Sequence, residues 1–260
     1  MTDANQTPCF WTADEMMTIA AAKSLKNGNM CFVGIGIPST AAILAKSTHA
    51  PDLVLIYESG TFNTNPKRLP LSIGDGELAK QAVTVVSMPE IFNYWLQSGR
   101  IDVGFLGAAQ IDKFGNINTT FIGNSYDSPT VRLPGAGGAT EIAAECKETT
   151  IIVRQSKRTF LNKIDFITSV GFGNGPGFRE ENDLRGRGPM RVITDLGILE
   201  PDPITCELVL THLHPGVKVE QAIENTGWDL KVASPLQFTT APLEEDLVKV
   251  RNLVASFAAN

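Results

Sequence analysis

The sequence lacks the features that mark nucleic-acid-binding and membrane proteins. Its 28 acidic residues outnumber its 22 Lys and Arg residues, which gives a net charge of −6, and no cluster of basic residues interrupts this excess locally. Because nucleic acids are bound largely through Lys and Arg contacts to phosphates, we expect no nucleic-acid partner. No apolar run approaches the roughly 20 residues that span a bilayer, and the first residues do not follow the basic-then-apolar order of a signal peptide. We therefore expect a cytoplasmic protein that does not associate with membranes.

Cysteine and histidine are scarce, and neither is arranged as a metal site. The four cysteines are Cys9, Cys31, Cys146 and Cys206. They lie far apart without Cys-x-x-Cys spacing, which favours free thiols in a reducing compartment over disulfides or zinc ligands. Of the histidines, His212 and His214 are close enough to share an ion, but no acidic or thiol partner lies at ligand spacing. We expect no metal ion.

Apolar strand-like runs alternate with helix-like periodicity along the chain, which is the pattern of an α/β protein. The predicted helices are 12–25, 40–46, 88–99, 139–146, 217–224 and 243–257. The predicted strands are 30–33, 53–57, 101–106, 117–122, 150–153, 166–170 and 191–194.

Two local patterns support these assignments. Thr12 and Glu15 have the spacing of a capping box, in which each side chain accepts from the backbone amide of the other residue. The strand at 53–57 is apolar on both faces, as a central parallel strand requires. We predict one domain over residues 1–260 with an open, mostly parallel sheet flanked by helices, preceded by a flexible segment at 1–11.

Three segments of chemical interest follow predicted strands or open a helix: GIGIP at 34–38, Glu58-Ser59-Gly60, and the glycine-rich loop at 135–138. Open parallel sheets bind ligands at the carboxyl ends of their strands, so we expect these segments to lie close together. A carboxylate directly after an apolar strand is poorly solvated, which makes it a better nucleophile. Glycine amides before a helix bind a phosphate or a developing oxyanion. The residues alone leave open that Glu58 caps a helix or pairs with a cation, and that the loop is a tight turn without a ligand.

These segments together resemble the beta subunits of family I CoA-transferases. GIGIP at 34–38 resembles a segment near the start of 3-oxoacid CoA-transferase beta subunits. Glu58-Ser59-Gly60 resembles the catalytic E-x-G signature, in the E-S-G form found in the B-type subunit of glutaconate CoA-transferase. GAAQID at 107–112 is similar to the GGAQID stretch of the same B-type subunit, and GAGGA at 135–139 to the family's GxGGA oxyanion loop. The likeness covers about residues 12–230, with the motifs in the family order.

The resemblance implies the CoA-transferase fold and Glu58 as the catalytic nucleophile, which forms an acyl-glutamyl anhydride and then a glutamyl-CoA thioester. It implies no permanently bound cofactor, because coenzyme A is both substrate and covalent intermediate. Gly138 first and Gly137 second become the candidate oxyanion donors, and we expect a positive φ at Gly138. The residues expected to shape the substrate pocket are Gly34, Gly36, Ser59, Gly60 and Gly135.

The resemblance also implies a partner, because the family needs an alpha subunit that supplies part of the active site, in a heterodimer or a higher heteromer. Relatives with this fold include CoA-thioester decarboxylases, ring-opening hydrolases and sugar-phosphate-sensing regulators. Glu58 favours transfer over the first two, and the absence of a basic DNA-binding segment disfavours the third. The sequence does not identify the acid. Lys67 and Arg68 are either partners for a second carboxylate or part of the solvated surface.

Overall fold

The computed structural model describes residues 10–258 of the 260-residue chain. Cys9 and most of the segment predicted at 1–11 lie outside the described residues. The predicted capping box is confirmed, since Thr12 N donates to Glu15 Oε2 at 2.7 Å and Glu15 N donates to Thr12 Oγ1 at 3.2 Å. These bonds satisfy backbone amides that the first turn of the helix leaves without partners.

Eight α-helices lie within the described residues: α1 Ala13–Ser24, α2 Ile37–Lys46, α3 Gly76–Lys80, α4 Met88–Glu90, α5 Ala139–Glu145, α6 Phe178–Glu181, α7 Val219–Glu224 and α8 Glu244–Ala258. A π-helix, Ile91–Leu96, continues directly from α4. The single helix predicted at 88–99 is therefore wound in two ways. The helix predicted at 40–46 begins three residues earlier, with Pro38 in its first turn, where a missing amide costs no hydrogen bond.

The described residues also form fourteen strands. They are β1 Met30–Phe32, β2 Val54–Ile56, β3 Thr61–Phe62, β4 Thr84–Val85, β5 Val103–Leu106, β6 Gln110–Ile111, β7 Ile117–Asn118, β8 Phe121–Ile122, β9 Val131–Arg132, β10 Glu148–Ile152, β11 Pro189–Ile193, β12 Gly197–Pro201, β13 Leu208–Leu213 and β14 Val232–Phe238.

Ten of these strands form one sheet in the order β14-β13-β12-β11-β10-β5-β1-β2-β3-β4. Five of its nine pairings are parallel, and four of those five are consecutive and form the centre from β11 to β2. Antiparallel strands extend the sheet on either side. The predicted α/β class with a mostly parallel sheet is confirmed.

Two strand predictions need correction. Residues 166–170 do not form a strand, because Phe166 and Ile167 are exposed and Ser169 makes only an isolated bridge to Ile117. The strand predicted at 117–122 is broken into β7 and β8, which pair with different partners. Seven strands were not predicted: β3, β4, β6, β9, β12, β13 and β14. Two of these strands contain proline, which argues against a strand in a sequence because it has no backbone amide to donate to a neighbouring strand. Pro201 ends β12, and Pro235 lies inside β14, which is an edge strand of the sheet.

Helices cover both faces of the sheet. Along β1 and β2, neighbouring side chains alternate between two apolar clusters, so Cys31 and Leu55 face one cluster while Phe32 and Ile56 face the other. The first cluster includes residues of α1, α2 and α8, and the second includes residues of α5, α7 and the π-helix. The centre of the sheet is thus buried on both sides, and its loops at the carboxyl ends of the strands remain available for a site. No helix in the described part of the chain has the length and apolarity to cross a membrane.

Candidate active site

Glu58 lies at the end of the central strand β2, in a turn that is fixed on both sides. The preceding residue, Tyr57, is fully buried, and its hydroxyl lies 3.1 Å from Ser39 Oγ. Gly60 follows with a φ of 92°, and a Cβ at this position would lie 1.9 Å from the carbonyl oxygen of Val86. Only glycine fits there, because the next segment of chain passes directly against its backbone. The Glu58 side chain itself is half-buried.

The glycine-rich loop meets this turn, as predicted. Gly138 N donates to Glu58 Oε1 at 3.3 Å, although the two residues are 80 positions apart. A Cβ on Gly137 would lie 3.8 Å from Glu58 Oε2. Both candidate oxyanion donors therefore lie beside the carboxylate.

The reason for glycine at position 138 differs from the one expected. Positive φ occurs at Gly135 (104°) and Gly137 (52°), whereas Gly138 has a φ of −85° that any residue can adopt. A Cβ on Gly138 would instead lie 2.5 Å from the Phe92 ring and 2.9 Å from Glu58 Oε1. Glycine is required there by the close approach of the two side chains, so the expectation of a positive φ at Gly138 is wrong.

Phe92 is a site residue that the sequence analysis missed. It projects from the π-helix, where its ring lies 5.7 Å from that of Phe32 and packs against Gly138. A π-turn inserts an extra residue into a helix and commonly occurs at functional sites. The periodicity of apolar residues in a sequence does not predict such a turn. The prediction of a helix at 88–99 therefore assigned none of its residues to the site.

A cavity of about 440 Å³ opens beside Glu58. Its lining includes the predicted pocket residues Gly34 and Gly135 and many apolar side chains, among them Phe105, Leu106 and Ile142. Glu58 is the one charged residue that lines this cavity within the described part of the chain. A Cβ on Gly34 would meet no atom within 4 Å, so the backbone there borders open space. The arrangement is an isolated carboxylate in an apolar pocket with a backbone amide aimed at it.

The other predicted pocket residues shape the backbone and do not line the cavity. Gly36 has a φ of 85° at the start of α2, and Gly60 forms the turn described above. The Ser59 hydroxyl is buried and has no hydrogen-bond partner among the described residues.

The two basic residues considered as partners for a second carboxylate lie outside the cavity lining. Arg68 donates two hydrogen bonds to Asp75, at 2.8 and 2.9 Å. This guanidinium holds the pKa of the Asp75 carboxyl well below its usual range. The Lys67 backbone amide donates to Glu77. Arg68 therefore serves the structure of its own loop.

The GAAQID segment at 107–112 is divided between the site and its frame. Ala108 and Ala109 line the cavity. Gln110 donates to Asp165 at 3.0 Å and accepts from Asn118 at 2.7 Å, beneath the loop that leads toward the site. Asp112 accepts three hydrogen bonds from residues 114 and 116, and burial raises its pKa. Gln110 and Asp112, the polar residues of the GAAQID segment, therefore stabilise the local structure and do not line the cavity. No group of three His, Cys, Asp or Glu side chains suited to a metal ion is found between residues 10 and 258.

Comparison with known proteins places this geometry in context. The family model for coenzyme A transferase matches residues 14–225. The chain is 59% identical to the B-type subunit of 3-oxoadipate CoA-transferase from Pseudomonas knackmussii, over 96% of this chain and 95% of that protein. It is 40% identical to the B-type subunit of glutaconate CoA-transferase from Acidaminococcus fermentans, over 87% of this chain and 86% of that protein. The crystal structure of glutaconate coenzyme A-transferase from the same organism superposes with a TM-score of 0.87 at 37% identity, covering 93% of this chain and 94% of the other.

Proposed function

The chain belongs to the coenzyme A transferase family and is a CoA-transferase subunit of the B type, and on this premise we propose that Glu58 is the carboxylate that carries coenzyme A. The observation that carries the proposal is the isolation of Glu58. It is the one charged residue lining the cavity among residues 10–258, and a backbone amide donates to it. A carboxylate that serves structure is normally paired with cations or several donors, whereas a nucleophile must keep an oxygen free to react.

The proposed reaction exchanges one anion for another at each step. The Glu58 carboxylate attacks the thioester carbonyl of an acyl-CoA, the carbon–sulfur bond breaks, and CoA leaves as the thiolate. The resulting mixed anhydride is attacked at the glutamyl carbon by the thiolate, which releases the donor acid as its carboxylate and leaves a glutamyl-CoA thioester. An acceptor acid then reverses both steps. Because no step needs a net proton transfer or a change of oxidation state, coenzyme A acts as substrate and no further cofactor is required.

The Gly138 amide is suited to the second of these steps. When thiolate adds to the glutamyl carbon, the developing oxyanion is a Glu58 oxygen, and Gly138 N already donates to Glu58 Oε1 at 3.3 Å. A donor fixed before the charge develops needs no reorganisation during the reaction. Gly137, whose backbone lies beside the other carboxylate oxygen, is the second candidate donor.

The apolar lining suits a reaction in which water is the competing nucleophile. Both covalent intermediates are activated acyl groups that water would hydrolyse. Phe105, Leu106 and Ile142 offer no hydrogen-bonding side chain to hold a water molecule near Glu58. This exclusion favours return of CoA over hydrolysis.

We propose a dicarboxylic acid as the substrate. The relatives named above carry 3-oxoadipate and glutaconate in their names, and both compounds are dicarboxylic acids. The 59% identity to the 3-oxoadipate enzyme's B-type subunit puts a 3-oxo dicarboxylic acid first among the acids to be tested. Because a B-type subunit implies a companion, we propose a heterodimer with a CoA-transferase alpha subunit, assembled singly or into a larger heteromer, and expect the isolated chain to be inactive.

Covalent trapping tests the nucleophile. The complex of this chain with its alpha subunit is incubated with an acyl-CoA in the absence of an acceptor acid, and peptide mass analysis should find one CoA on the peptide that contains Tyr57, Glu58 and Ser59. Glu58→Ala should abolish both the adduct and the exchange of CoA. Glu141→Ala is the matched control, because Glu141 is exposed on α5 and does not line the cavity.

Each outcome has a defined meaning. Exchange by Glu58→Ala at the parent rate would refute covalent catalysis by this residue. Decarboxylation or hydrolysis of the acyl-CoA without exchange would replace transfer by one of the alternative activities of this fold. Full exchange by the isolated, homogeneous chain would refute the need for an alpha subunit.

A further inference from the structure

Thr119 lies between β7 and β8, lines the cavity, and is bonded twice to the first residue of the glycine-rich loop. Gly135 N donates to the carbonyl oxygen of Thr119 at 2.8 Å. In the opposite direction, Thr119 Oγ1 donates to the carbonyl oxygen of Gly135, also at 2.8 Å. A single residue therefore holds both polar groups of the Gly135 backbone.

Thr119 is itself held by a buried residue. Its backbone amide donates to Thr168 Oγ1 at 2.8 Å, and Thr168 is only 5% exposed. The Thr168 amide donates to the carbonyl oxygen of Ile117 at 2.9 Å, and its hydroxyl lies 2.6 Å from that of Thr120. This anchorage gives the cavity side of the loop a fixed support.

The remainder of the loop has little other support. Ala139 N donates to the carbonyl oxygen of Ala136 at 2.9 Å, which closes the turn into α5, and Gly138 N donates to Glu58 at 3.3 Å. Just before the loop, Leu133 N donates to the carbonyl oxygen of Thr120 at 3.0 Å, and β9 pairs with β8. Among the hydrogen bonds of the described residues, those that Gly135 itself makes are both with Thr119. Because glycines at 135 and 137 provide no side chain that could pack there, the bonds with Thr119 hold the first residue of the loop in place.

We propose that the Thr119 hydroxyl is a positioning group for CoA transfer, which holds the loop so that the Gly138 amide faces Glu58. This inference rests on the proposed function, because it assigns Thr119 a role only through the amide that faces the nucleophile. Thr119 takes no part in bond making. Its hydroxyl makes one of the two hydrogen bonds that hold Gly135, three residues before the donor.

The test measures the rate at which the complex with the alpha subunit forms the CoA adduct on the Glu58 peptide after rapid mixing with acyl-CoA alone. Thr119→Val removes the hydroxyl with little change in volume and should slow adduct formation roughly 10- to 100-fold, because small displacements of reacting groups carry such penalties. The acyl-CoA concentration at half-maximal rate should change much less. Thr119→Ser keeps the hydroxyl and should restore most of the rate.

Thr226 provides the matched control. It is buried and does not line the cavity. Its hydroxyl donates to the carbonyl oxygen of Ala222 at 2.8 Å and accepts from Gln155 Nε2 at 3.0 Å. Thr226→Val should lower the thermal midpoint at least as much as Thr119→Val while adduct formation by the folded enzyme stays at the parent rate. A parent rate for Thr119→Val, or a Thr119→Ser variant as slow as Thr119→Val, would overturn the proposal.

A double variant tests whether Thr119 acts through the loop. Gly138→Ala introduces a Cβ against Phe92 and Glu58 and should displace the amide by itself. Adding Thr119→Val to Gly138→Ala should then cost far less than it costs in the parent, since coupled residues are not additive. Independent, multiplying effects would refute the coupling. A parent complex that forms no adduct on Glu58 would refute the proposed function instead, before any Thr119 variant is compared.

Discussion

Glu58 and a cluster of buried polar side chains elsewhere in this protein differ in how completely they are hydrogen-bonded. Beside the cavity, Glu58 accepts one long amide hydrogen bond and has no cation partner among the described residues. At the ends of β10, β11 and β13, the buried residues Gln155, Thr194, His214 and Thr226 form the Gln155 cluster. Gln155 bonds the side chains of Thr194 and Thr226, and His214 bonds the Thr194 carbonyl oxygen.

The Gln155 cluster is closely satisfied. Gln155 Nε2 donates to Thr226 Oγ1 at 3.0 Å and to the carbonyl oxygen of Ala222 at 3.1 Å, while its Oε1 accepts from Thr194 Oγ1 at 3.0 Å. His214 Nε2 lies 2.8 Å from the carbonyl oxygen of Thr194. Polar groups that are paired in this way stabilise a unique fold, and their hydrogen bonds are made within the protein. The proposed reactivity of Glu58 rests on this incomplete hydrogen bonding, and the predictions below test the contrast with the Gln155 cluster.

The largest expected effect is at Glu58. Glu58→Gln keeps the shape but provides no carboxylate oxygen that can attack, so turnover should fall by on the order of 10⁴-fold or more. Because Glu58 contributes a single long hydrogen bond, the urea midpoint of unfolding should remain at or above the parent value. Steady-state exchange and urea titration of the same preparation measure both quantities. A large loss of stability would mean that Glu58 belongs with the structural residues.

Gly138→Val should have the next largest effect. Its Cβ would lie 2.5 Å from the Phe92 ring and 2.9 Å from Glu58 Oε1, so the loop, the ring or the carboxylate must shift, and we expect the bond from the amide to Glu58 to be lost. Loss of one oxyanion donor typically costs ~10²–10³ in rate. The adduct-forming rate measures it, and Gly138→Ala should give a smaller loss. A folded Gly138→Val enzyme with parent turnover would remove Gly138 from the mechanism.

Gln155→Leu should lower the stability of the protein by disrupting the Gln155 cluster. It removes the amide that joins Thr194, Thr226 and the Ala222 carbonyl, and it leaves buried groups unpaired. We expect the free energy of unfolding to fall by about 1–3 kcal/mol. Exchange activity per folded molecule should stay within about twofold of the parent. If exchange activity falls as steeply as it does in the Gly138 variants, the Gln155 cluster and the Glu58 site are not independent.

The smallest effect concerns the pH dependence of stability. Burial lowers the pKa of His214, whose ring bonds Thr194 and Thr239, although nearby Asp195 opposes the shift. Below the usual histidine value of about 6.5, the unfolded chain takes up a proton that the folded chain resists. The free energy of unfolding should therefore fall as the pH falls through this window, by at most ~1.4 kcal/mol per pH unit for this one group. Urea unfolding at pH 7.5 and 5.5 measures it, and His214→Gln should weaken the dependence.

The sequence was informative where a feature depends on neighbouring residues. The capping box of Thr12 and Glu15, the apolar central strand before Glu58, and the glycines of the 135–138 loop are all local patterns. The rule that ligands meet the carboxyl ends of parallel strands correctly brought the last two together.

Features that depend on distant parts of the chain escaped prediction. Phe92 contacts Gly138 from a π-helix, which the periodicity of apolar residues does not predict. Thr119, in the connection between β7 and β8, holds Gly135 through hydrogen bonds that join distant parts of the chain. Residues 166–170 have the composition of a strand, but Phe166 and Ile167 are exposed, while Thr168 and Ser169 are buried and bond the backbone of Ile117. Burial and pairing, which decided these cases, are properties of the folded chain.

The open space beside Gly34 has a consequence for protein engineering. A Cβ at Gly60 or Gly138 would collide with neighbouring atoms, and one at Gly135 or Gly137 would require a strained positive φ. A Cβ at position 34 meets nothing within 4 Å and needs no unusual backbone angle. Because Gly34 lines the cavity, a graded set of side chains at this one position would narrow the pocket without straining the loop. If the proposed acid substrate occupies this cavity, we expect larger side chains at position 34 to select shorter acids over longer ones.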